Sequence, residues 1–431
     1  MFSSHRQRAA SWIHLAGSIS CVGLITLSST TVSLAAESNE TATAVTLESI
    51  VVTAQRREEN SQTVPIAIST VSGEDLTLRG ADSLQTLSTT VPGFSSSGSL
   101  WVGTYVRGIG STSASPNNEP SVATYVDGVY NPSSYALTGF AFNNIERLEV
   151  LKGPQGTLFG RNATGGVVQI VTADPQHQLG GNVSLGYGNY ETVQASAYVT
   201  GGITDNLAAD IAVGYEDQGS GFGYNPTRQS DTYLHENLST RSKWLYTPTD
   251  TTKIAVALDY SRFTNDGYNN QQLPGSVASD GVSTFPGKFN ALGDEDSGND
   301  NETYGASLRI DQEFGALHGT SITAYRNVDA HWRVDNDNTP NPWVVVNDFS
   351  DQEFLTQELQ LSNADPGRVQ WLVGAFYYNA DVSNLQRRTG QRVNPGGFAD
   401  AYGTQKTESV SAYGQATAEI FADTKLTLGL R

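Results

Sequence analysis

The chain has little cysteine, few basic residues and no long apolar run beyond its first 35 residues, and each shortage excludes a class of protein. A single cysteine among 431 residues allows no internal disulfide framework. Lysine and arginine number 25 against 44 aspartate and glutamate residues, and the net charge of -19 opposes binding to nucleic acid. After residue 35, no run approaches the ~18 apolar residues of a membrane-spanning helix. Composition still permits a transmembrane barrel, because barrel strands alternate apolar with polar residues.

The first 35 residues predict a secretory signal peptide. Arg6 and Arg8 supply positive charge, residues 15–27 are mostly apolar, and the segment 33–35 is a small-residue cleavage site. Cys21 lies inside this segment, so the exported chain is predicted to contain no cysteine and no cysteine-ligated metal. Residues 36–55 follow as a leader that is polar at first and ends in a β-prone run.

From residue 181 the sequence alternates apolar and polar residues, which is typical of strands that cross an outer membrane. One example places Ile254, Val256, Leu258 and Tyr260 on a single face. Eleven strands are predicted, near 181–188, 191–201, 206–217, 235–247, 252–264, 302–314, 318–329, 353–363, 367–381, 408–420 and 424–431. Connections after even-numbered strands are short, and those after odd-numbered strands other than the first are long. This segregation favours an antiparallel transmembrane β-barrel over the alternative, a soluble β-sandwich.

The most specific feature is the stretch 145–172. A strand-like run at 148–151 leads into a turn, then a glycine-rich loop over 156–166 and a second strand over 167–171. This stretch resembles the end of the plug domain of TonB-dependent outer-membrane receptors. Further matches to that family are 105–110, 123–130, 356–362, 370–378, 409–417 and 426–431. The resemblance implies a mixed α/β plug domain, here over 56–175, inside an antiparallel transmembrane β-barrel over 181–431.

Members of that family have 22 barrel strands, so the resemblance implies a plug with about half of a barrel. An open half barrel leaves strand edges that lipid cannot satisfy. We therefore expect a fragment or a truncated gene product, and whether the half barrel folds alone stays open. Within the plug, the sequence predicts a strand over 64–71, a short helix beginning at Ser72 and another helix over 81–87.

The β-prone run at the end of the leader matches the position of the family's TonB box. In the family, the inner-membrane protein TonB adds a strand to this box and pulls on it, using the proton-motive force of its energising complex. The alternative interpretation of the run is a first plug strand. The predicted TonB-binding residues are Leu47, Glu48, Ser49, Ile50, Val51, Val52, Thr53 and Ala54.

Charged residues of the plug are predicted to hold it against the barrel wall, as the resemblance implies. Glu358 lies opposite the apolar face of its strand and is therefore predicted to point into the lumen. An ion pair of Glu358 with Arg147 or Arg107 is the specific hypothesis. The full set of predicted lock residues is Arg107, Arg147, Glu149, Lys152, Arg161 and Glu358.

Aromatic residues of the outer loops are candidates for ligand binding or for the membrane-interface girdle, and the sequence does not separate the two. They are Tyr224, Tyr268, Trp332 and Trp343. The acidic run 294–302 could hold Ca²⁺ or bridge lipopolysaccharide through divalent ions, but its spacing fails the EF-hand pattern and a solvated loop is favoured. The segment 160–166 lacks the Lys-Ser/Thr ending of a phosphate loop, and four dispersed histidines share no ligand spacing. No catalytic residue, metal site or cofactor is therefore predicted.

The resemblance implies a receptor in the outer membrane of a Gram-negative bacterium that imports a ferric siderophore or a similarly scarce ligand, and is not an enzyme. Its implied partners are TonB, the ligand, and outer-membrane lipid with lipopolysaccharide, but no nucleic acid. Alternatives are import of a glycan, cobalamin or an aromatic compound, a barrel enzyme, and a fragment that transports nothing.

Overall fold

The computed structural model describes residues 51–57, 59–81, 83–97, 103–111, 119–266, 273–365, 367–392, 398–422 and 424–431. The predicted signal peptide and the first four predicted TonB-binding residues, 47–50, lie outside these ranges. The described residues form a small mixed domain up to Thr172 and a large antiparallel sheet after it. No helix among the described residues is both long and apolar enough to cross a membrane.

Ten short strands and two short helices build the small domain. The strands are β1 (Val51–Val52), β2 (Glu59–Asn60), β3 (Ile68–Ser72), β4 (Phe94–Ser97), β5 (Gly103–Val106), β6 (Ile109–Gly110), β7 (Val122–Val126), β8 (Val129–Asn131), β9 (Ile145–Lys152) and β10 (Gly166–Thr172). The helices are α1 (Gly73–Leu78) and α2 (Gly156–Phe159). The central sheet has the order β3-β9-β10-β7-β8, in which only β10 and β7 run parallel.

The central sheet of the small domain is buried on both faces. Val168 and Ile170 belong to one apolar cluster with Leu148, whereas Val167 joins a second cluster that includes residues of the large sheet. Burial on two faces explains why 167–171 is almost continuously apolar. The small domain therefore packs one face of its sheet against the wall formed by the large sheet.

The helices of the small domain differ in part from the prediction. Ser72 caps α1 as expected, because its Oγ accepts the backbone N–H of Asp75 at 3.1 Å. The predicted helix over 81–87 is wrong: only a 3₁₀ helix over Thr86–Thr89 forms. The side chain of Thr86 donates to the carbonyl oxygen of Ser83 at 2.8 Å, and such local bonds compete with α-helix formation. The predicted strand over 64–71 begins only at Ile68, and the glycine-rich loop contains α2.

The large sheet has eleven strands in sequential order, each antiparallel to its neighbours. It starts with β11 (Gly180–Tyr187), β12 (Thr192–Thr204) and β13 (Leu207–Gln218). A separate hairpin, β14 (Gly223–Asn225) with β15 (Ser230–Thr232), occupies the next connection. The sheet continues with β16 (His235–Thr249), β17 (Thr252–Asn265), β18 (Gly298–Phe314), β19 (Leu317–Asp335), β20 (Val345–Asn363), β21 (Val369–Thr389), β22 (Phe398–Phe421) and β23 (Thr424–Leu430).

The two faces of the large sheet have opposite character, as the alternation predicts. On β20, Leu355 and Leu359 are exposed, whereas Thr356 and Glu358 on the opposite face are buried. The prediction of eleven strands is confirmed, but several strands extend further at the end of the long connections. For example, β20 begins at Val345 rather than at 353, and β22 begins at Phe398 rather than at 408. The predicted long loops are correspondingly shorter.

Candidate functional site

The described part of the predicted TonB-binding run is anchored in the small domain. Val51 and Val52 pair antiparallel with Asn60 and Glu59. Val52 and Ala54 are completely buried, whereas 42% of Val51 is exposed. The run therefore presents one apolar side to the protein and one to its surroundings.

Glu149 holds this run through its buried carboxylate. The backbone N–H of Thr53 donates to Oε1 at 2.9 Å and the Thr53 hydroxyl donates at 3.2 Å. Arg147 Nε donates to the same oxygen at 2.9 Å, and Gln169 Nε2 donates to Oε2 at 3.0 Å. A buried carboxylate is stable only with such donors, so β9 and β10 supply an acceptor that fits the passing N-terminal segment.

Arg56, two residues beyond the run, connects the segment to the wall. Its guanidinium lies over the rings of Tyr125 and Phe159, 4.7 and 4.4 Å from their centroids. Its Nη2 lies 3.4 Å from Glu358 Oε2, and Tyr413 donates its hydroxyl to Glu358 Oε1 at 2.5 Å. Burial is the largest single influence on the pKa of Arg56 and lowers it, but the Glu358 carboxylate together with Tyr125 and Tyr413 outweighs burial, so the pKa is raised. The contact is thus a buried, charged bond between plug segment and barrel wall.

The specific lock hypothesis is therefore corrected: the structure pairs Glu358 with Arg56, not with Arg147 or Arg107. Arg147 is held by Glu146 and Glu149 within the small domain. Arg107 is exposed in a turn with φ of 52°. Arg147 lies on β9 and Arg107 lies in the turn between β5 and β6, whereas Arg56 lies beside the wall.

Two other predicted lock residues have separate environments. Arg161 pairs with Glu119 and lies over the ring of Tyr378 on β21, 4.3 Å from its centroid, so it does contact the wall. Lys152 is half-buried at the end of β9, and burial together with the guanidinium of Arg107 lowers its pKa.

A second attachment of the plug to the wall lies on β16 and β17 and was missed by the sequence reasoning. Lys243 Nζ contacts Asp127 Oδ2 and Asp174 Oδ1, each at 3.2 Å, and Lys253 reaches Asp174 Oδ2 at 2.7 Å. Burial acts to raise the pKa of Asp174, but the two ammonium groups outweigh it and the pKa is lowered. Arg241 donates to the carbonyl oxygens of Ala141 and Asn143. The sequence signal that could have indicated this attachment is the presence of basic residues at inward-facing positions of a barrel strand.

The predicted ligand-binding aromatics make separate contacts. Tyr224 is exposed on the small hairpin, Trp332 is half-buried on β19 against the shared apolar cluster, and Trp343 stacks with Arg392 at 3.3 Å from its ring centroid. Tyr268 lies outside the described residues. A cluster that was not predicted joins four rings of the outer connections, with centroid separations from 4.5 to 6.4 Å: Tyr190, Phe222, Tyr233 and Phe289.

The acidic run 294–302 is partly neutralised by ion pairs. Glu295 pairs with Arg333 at 2.5 Å, Asp296 with Arg228, and Asp300 with Arg262 at 2.7 Å. Across the described ranges, no group of three His, Cys, Asp or Glu side chains is arranged to hold a metal ion.

Comparison with known proteins relates the small domain to a described family of domains. Residues 60–167 match the family model described as the TonB-dependent receptor plug domain. This match identifies the small domain as the plug domain of a TonB-dependent receptor. The family consists of receptors and transporters of the outer membrane rather than enzymes.

Two curated relatives each match about two fifths of the chain. The chain is 31% identical over 186 residues to the pesticin receptor of Yersinia pestis, which covers 42% of this chain and 27% of the relative. It is 32% identical over 181 residues to the vitamin B12 transporter BtuB of Vibrio vulnificus, covering 40% and 28%.

The fold of a solved TonB-dependent receptor extends over most of the chain. The ferric yersiniabactin uptake receptor FyuA from Yersinia pestis matches with a TM-score of 0.72 at 20% identity, over 84% of this chain and 56% of the receptor. The chain therefore spans little more than half the length of the receptor, with a plug and eleven barrel strands.

Proposed function

We propose that this protein is an outer-membrane importer that takes up a ferric siderophore or a similarly scarce ligand and is energised through TonB. The observation that carries the proposal is the position of the N-terminal segment. Within six residues it is bonded to the plug sheet at Thr53 and to the barrel wall at Arg56. Force applied ahead of these residues would act on both contacts at once.

Residues 47–54 are the proposed TonB-binding segment. The hairpin β1–β2 has two residues in each strand, and such a short ladder is weak by itself. Its release would free backbone N–H and C=O groups for pairing with an added strand, which is a recurrent mode of peptide recognition. Thr53 and Arg56 would set the resistance to release.

Ligand occupancy is proposed to weaken the Arg56–Glu358 contact from the other side of the plug. Arg56 lies over Tyr125 of β7 and Phe159 of α2, so movement of either element displaces the guanidinium. The Tyr125 hydroxyl also donates to the Phe159 carbonyl oxygen at 2.8 Å, which ties the two elements together. A small movement of β7 or α2 would therefore alter the contacts that hold the N-terminal segment.

The similarities to known proteins support more than one class of imported ligand. The structural neighbours include siderophore receptors, which favours a ferric siderophore, whereas the 32% identity to a vitamin B12 transporter favours cobalamin as the second candidate. Tyr304 and Tyr325 are exposed on the outward face of β18 and β19, where they would contact outer-membrane lipid and lipopolysaccharide.

Site-specific crosslinking tests the TonB contact. The sole cysteine, Cys21, lies in the predicted signal, so an introduced cysteine would be unique in the exported protein. With the receptor expressed from its own gene, we expect Val51→Cys to crosslink to a cysteine-bearing TonB, and more strongly under energised conditions. Leu78→Cys on α1, where 77% of the residue is exposed, is the matched control and should not crosslink. Equal yields at the two positions would contradict the proposal.

A further inference from the structure

The inner surface of the wall beside the outer connections carries a continuous row of polar, almost uncharged side chains. Cross-strand pairing aligns five inward-facing residues on β17 to β21: Asn265, Asn299, Trp332, Asp348 and Gln386. Three amides, one indole and one carboxylate thus form one band, and none of its members is basic.

The next row towards the periplasm is also uncharged but only partly polar. Across β17 to β21 it contains, in register, Phe263, Asn301, Ala330, Ser350 and Asn384. Asn301 Nδ2 donates to Thr138 Oγ1 of the plug at 3.1 Å. The two rows therefore lie where the outer end of the plug meets the wall, at the level that an incoming ligand must pass.

The carboxylate of the band is already shared with amides. Asp348 Oδ1 accepts from Asn384 Nδ2 at 2.5 Å, and Oδ2 accepts from Gln386 Nε2 at 3.4 Å. Asn299 differs from its neighbours because both its amide nitrogen and its amide oxygen lack a hydrogen-bond partner although only 6% of the residue is exposed. A buried amide without partners is costly, so a ligand that supplies a donor and an acceptor would relieve it.

The basic residues near this band are bonded within the protein, one of them to Gln386 of the band itself. Arg333 pairs with Glu295 at 2.5 Å, and Arg387 pairs with Asp400 at 2.7 Å. Arg388 donates to the amide oxygen of Gln386 at 2.9 Å. Recognition of a strongly anionic ligand relies on clustered arginines with free donors, and the described part of the two rows contains no arginine or lysine.

We infer that the cargo is an uncharged ligand rich in hydroxyl, carbonyl or amide groups, which the amide band bonds while Trp332 supplies an apolar face. This inference rests on the proposed importer and narrows its cargo. Two sources share the chemistry: a neutral oligosaccharide and an uncharged ferric tris-hydroxamate complex. A trianionic ferric tris-catecholate is disfavoured by the acidic, amide-lined surface.

Equilibrium binding to outer membranes that contain the receptor, expressed from its own gene, tests the inference. The probes are a neutral tris-hydroxamate complex, a neutral oligosaccharide and a trianionic tris-catecholate complex. We expect one neutral probe to bind at least ten times more tightly than the trianion, and its identity assigns the source. Tighter binding of the trianion, or binding of neither neutral probe, would overturn the inference.

Asn299→Ala tests the band itself. The substitution breaks no hydrogen bond within the protein, so we expect normal receptor levels and a roughly three- to tenfold weaker binding of the neutral probe. The matched control is Asn347→Ala, since Asn347 lies on the outward face of β20, where it bonds His331 at 3.3 Å, and binding should not change. Unchanged binding in Asn299→Ala would exclude the band as the site. TonB crosslinking at residue 51 reports separately on the importer proposal, because it does not depend on which cargo binds.

Discussion

At the scale of single residues, the N-terminal segment depends on one buried carboxylate. A charged residue within the apolar run 148–151 is the sequence signal that singles out Glu149, and the sequence-based hypothesis assigns it to the plug–wall lock. In the structure its four donors all come from the small domain, and two of them belong to Thr53. Alternation along one strand shows that a charge is buried, but it does not show which distant segment supplies the donors.

Replacing Glu149 with glutamine should loosen the N-terminal segment. The neutral amide keeps one acceptor oxygen but loses the charge that strengthens the bonds from Thr53 and Arg147. Hydrogen bonds to charged groups contribute about 1.5–3 kcal/mol each, so we expect hydrogen exchange at Thr53 to accelerate by roughly tenfold or more. Exchange measured by mass spectrometry on peptides that include residue 53 reports this directly.

Glu146→Gln is the control for that measurement. Glu146 also contacts Arg147, but its side chain is half-exposed and it makes no bond to Thr53. Its replacement should leave exchange at Thr53 unchanged. Similar acceleration in both variants would mean that Arg147, rather than Glu149, holds the segment.

At the scale of elements, the sequence predicts the strands well where they cross the membrane and poorly beyond it. On β20, the alternation of apolar and polar residues locates the part of the strand from 353 onwards. Between Val345 and Gln352, polar residues occur on both faces of the strand, so the alternation is lost. The same holds for β22, where residues 398–407 include Asp400, Gln405 and Lys406. Above the lipid both faces of a strand meet polar surroundings, so the periodic signal disappears although the ladder of backbone hydrogen bonds continues.

The motif 145–172 owes its specificity to backbone geometry at its glycines. Gly166, at the start of β10, has φ of 156°, and a Cβ atom there would lie 2.4 Å from the carbonyl oxygen of Leu151. At Gly156, the first residue of α2, a Cβ atom would meet no neighbouring atom within 4 Å, so the two glycines differ sharply in their tolerance of a side chain. The sequence marks both as turn glycines without ranking them.

Gly166→Ala should therefore destabilise the plug, whereas Gly156→Ala should not. The methyl group must displace the β9–β10 pairing, at a cost of about 2–3 kcal/mol by analogy with other strained or overpacked sites. We expect faster proteolysis within the plug of Gly166→Ala in outer-membrane preparations and a wild-type cleavage rate for Gly156→Ala. Equal resistance of the two variants would show that β9 and β10 can separate without loss of the plug.

At the scale of the whole molecule, two of the contacts that fix the plug to the wall differ in construction. On β16, Lys243 and Arg241 hold residues from the later part of the plug, including Asp127, Asn143 and Asp174. On β20, Glu358 holds Arg56, next to the N-terminal segment. The inward position of Glu358 follows from alternation, but its partner follows only from the folded path of the chain, and so the sequence led to Arg147 or Arg107 instead.

The Arg56–Glu358 contact can be tested as a coupled pair. Removing one partner of a buried ion pair leaves an uncompensated charge and typically costs about 3–5 kcal/mol, whereas removing both is often nearly neutral. Glu358→Gln or Arg56→Gln alone should therefore release the N-terminal segment, and the double variant should restore much of its protection. The readout is maleimide labelling of a cysteine at the completely buried position of Val52.

The double-mutant cycle distinguishes a specific Arg56–Glu358 bond from a general loss of packing between the plug and the wall. We expect the labelling rate to rise by at least tenfold in each single variant and by clearly less than the combined effect in the double variant. The exposed pair Arg387–Asp400, 2.7 Å apart at the outer end, is the control, because its removal should leave labelling unchanged. Strictly additive effects of Arg56→Gln and Glu358→Gln would show that the two side chains act independently, and the contact would then transmit nothing between the wall and the N-terminal segment.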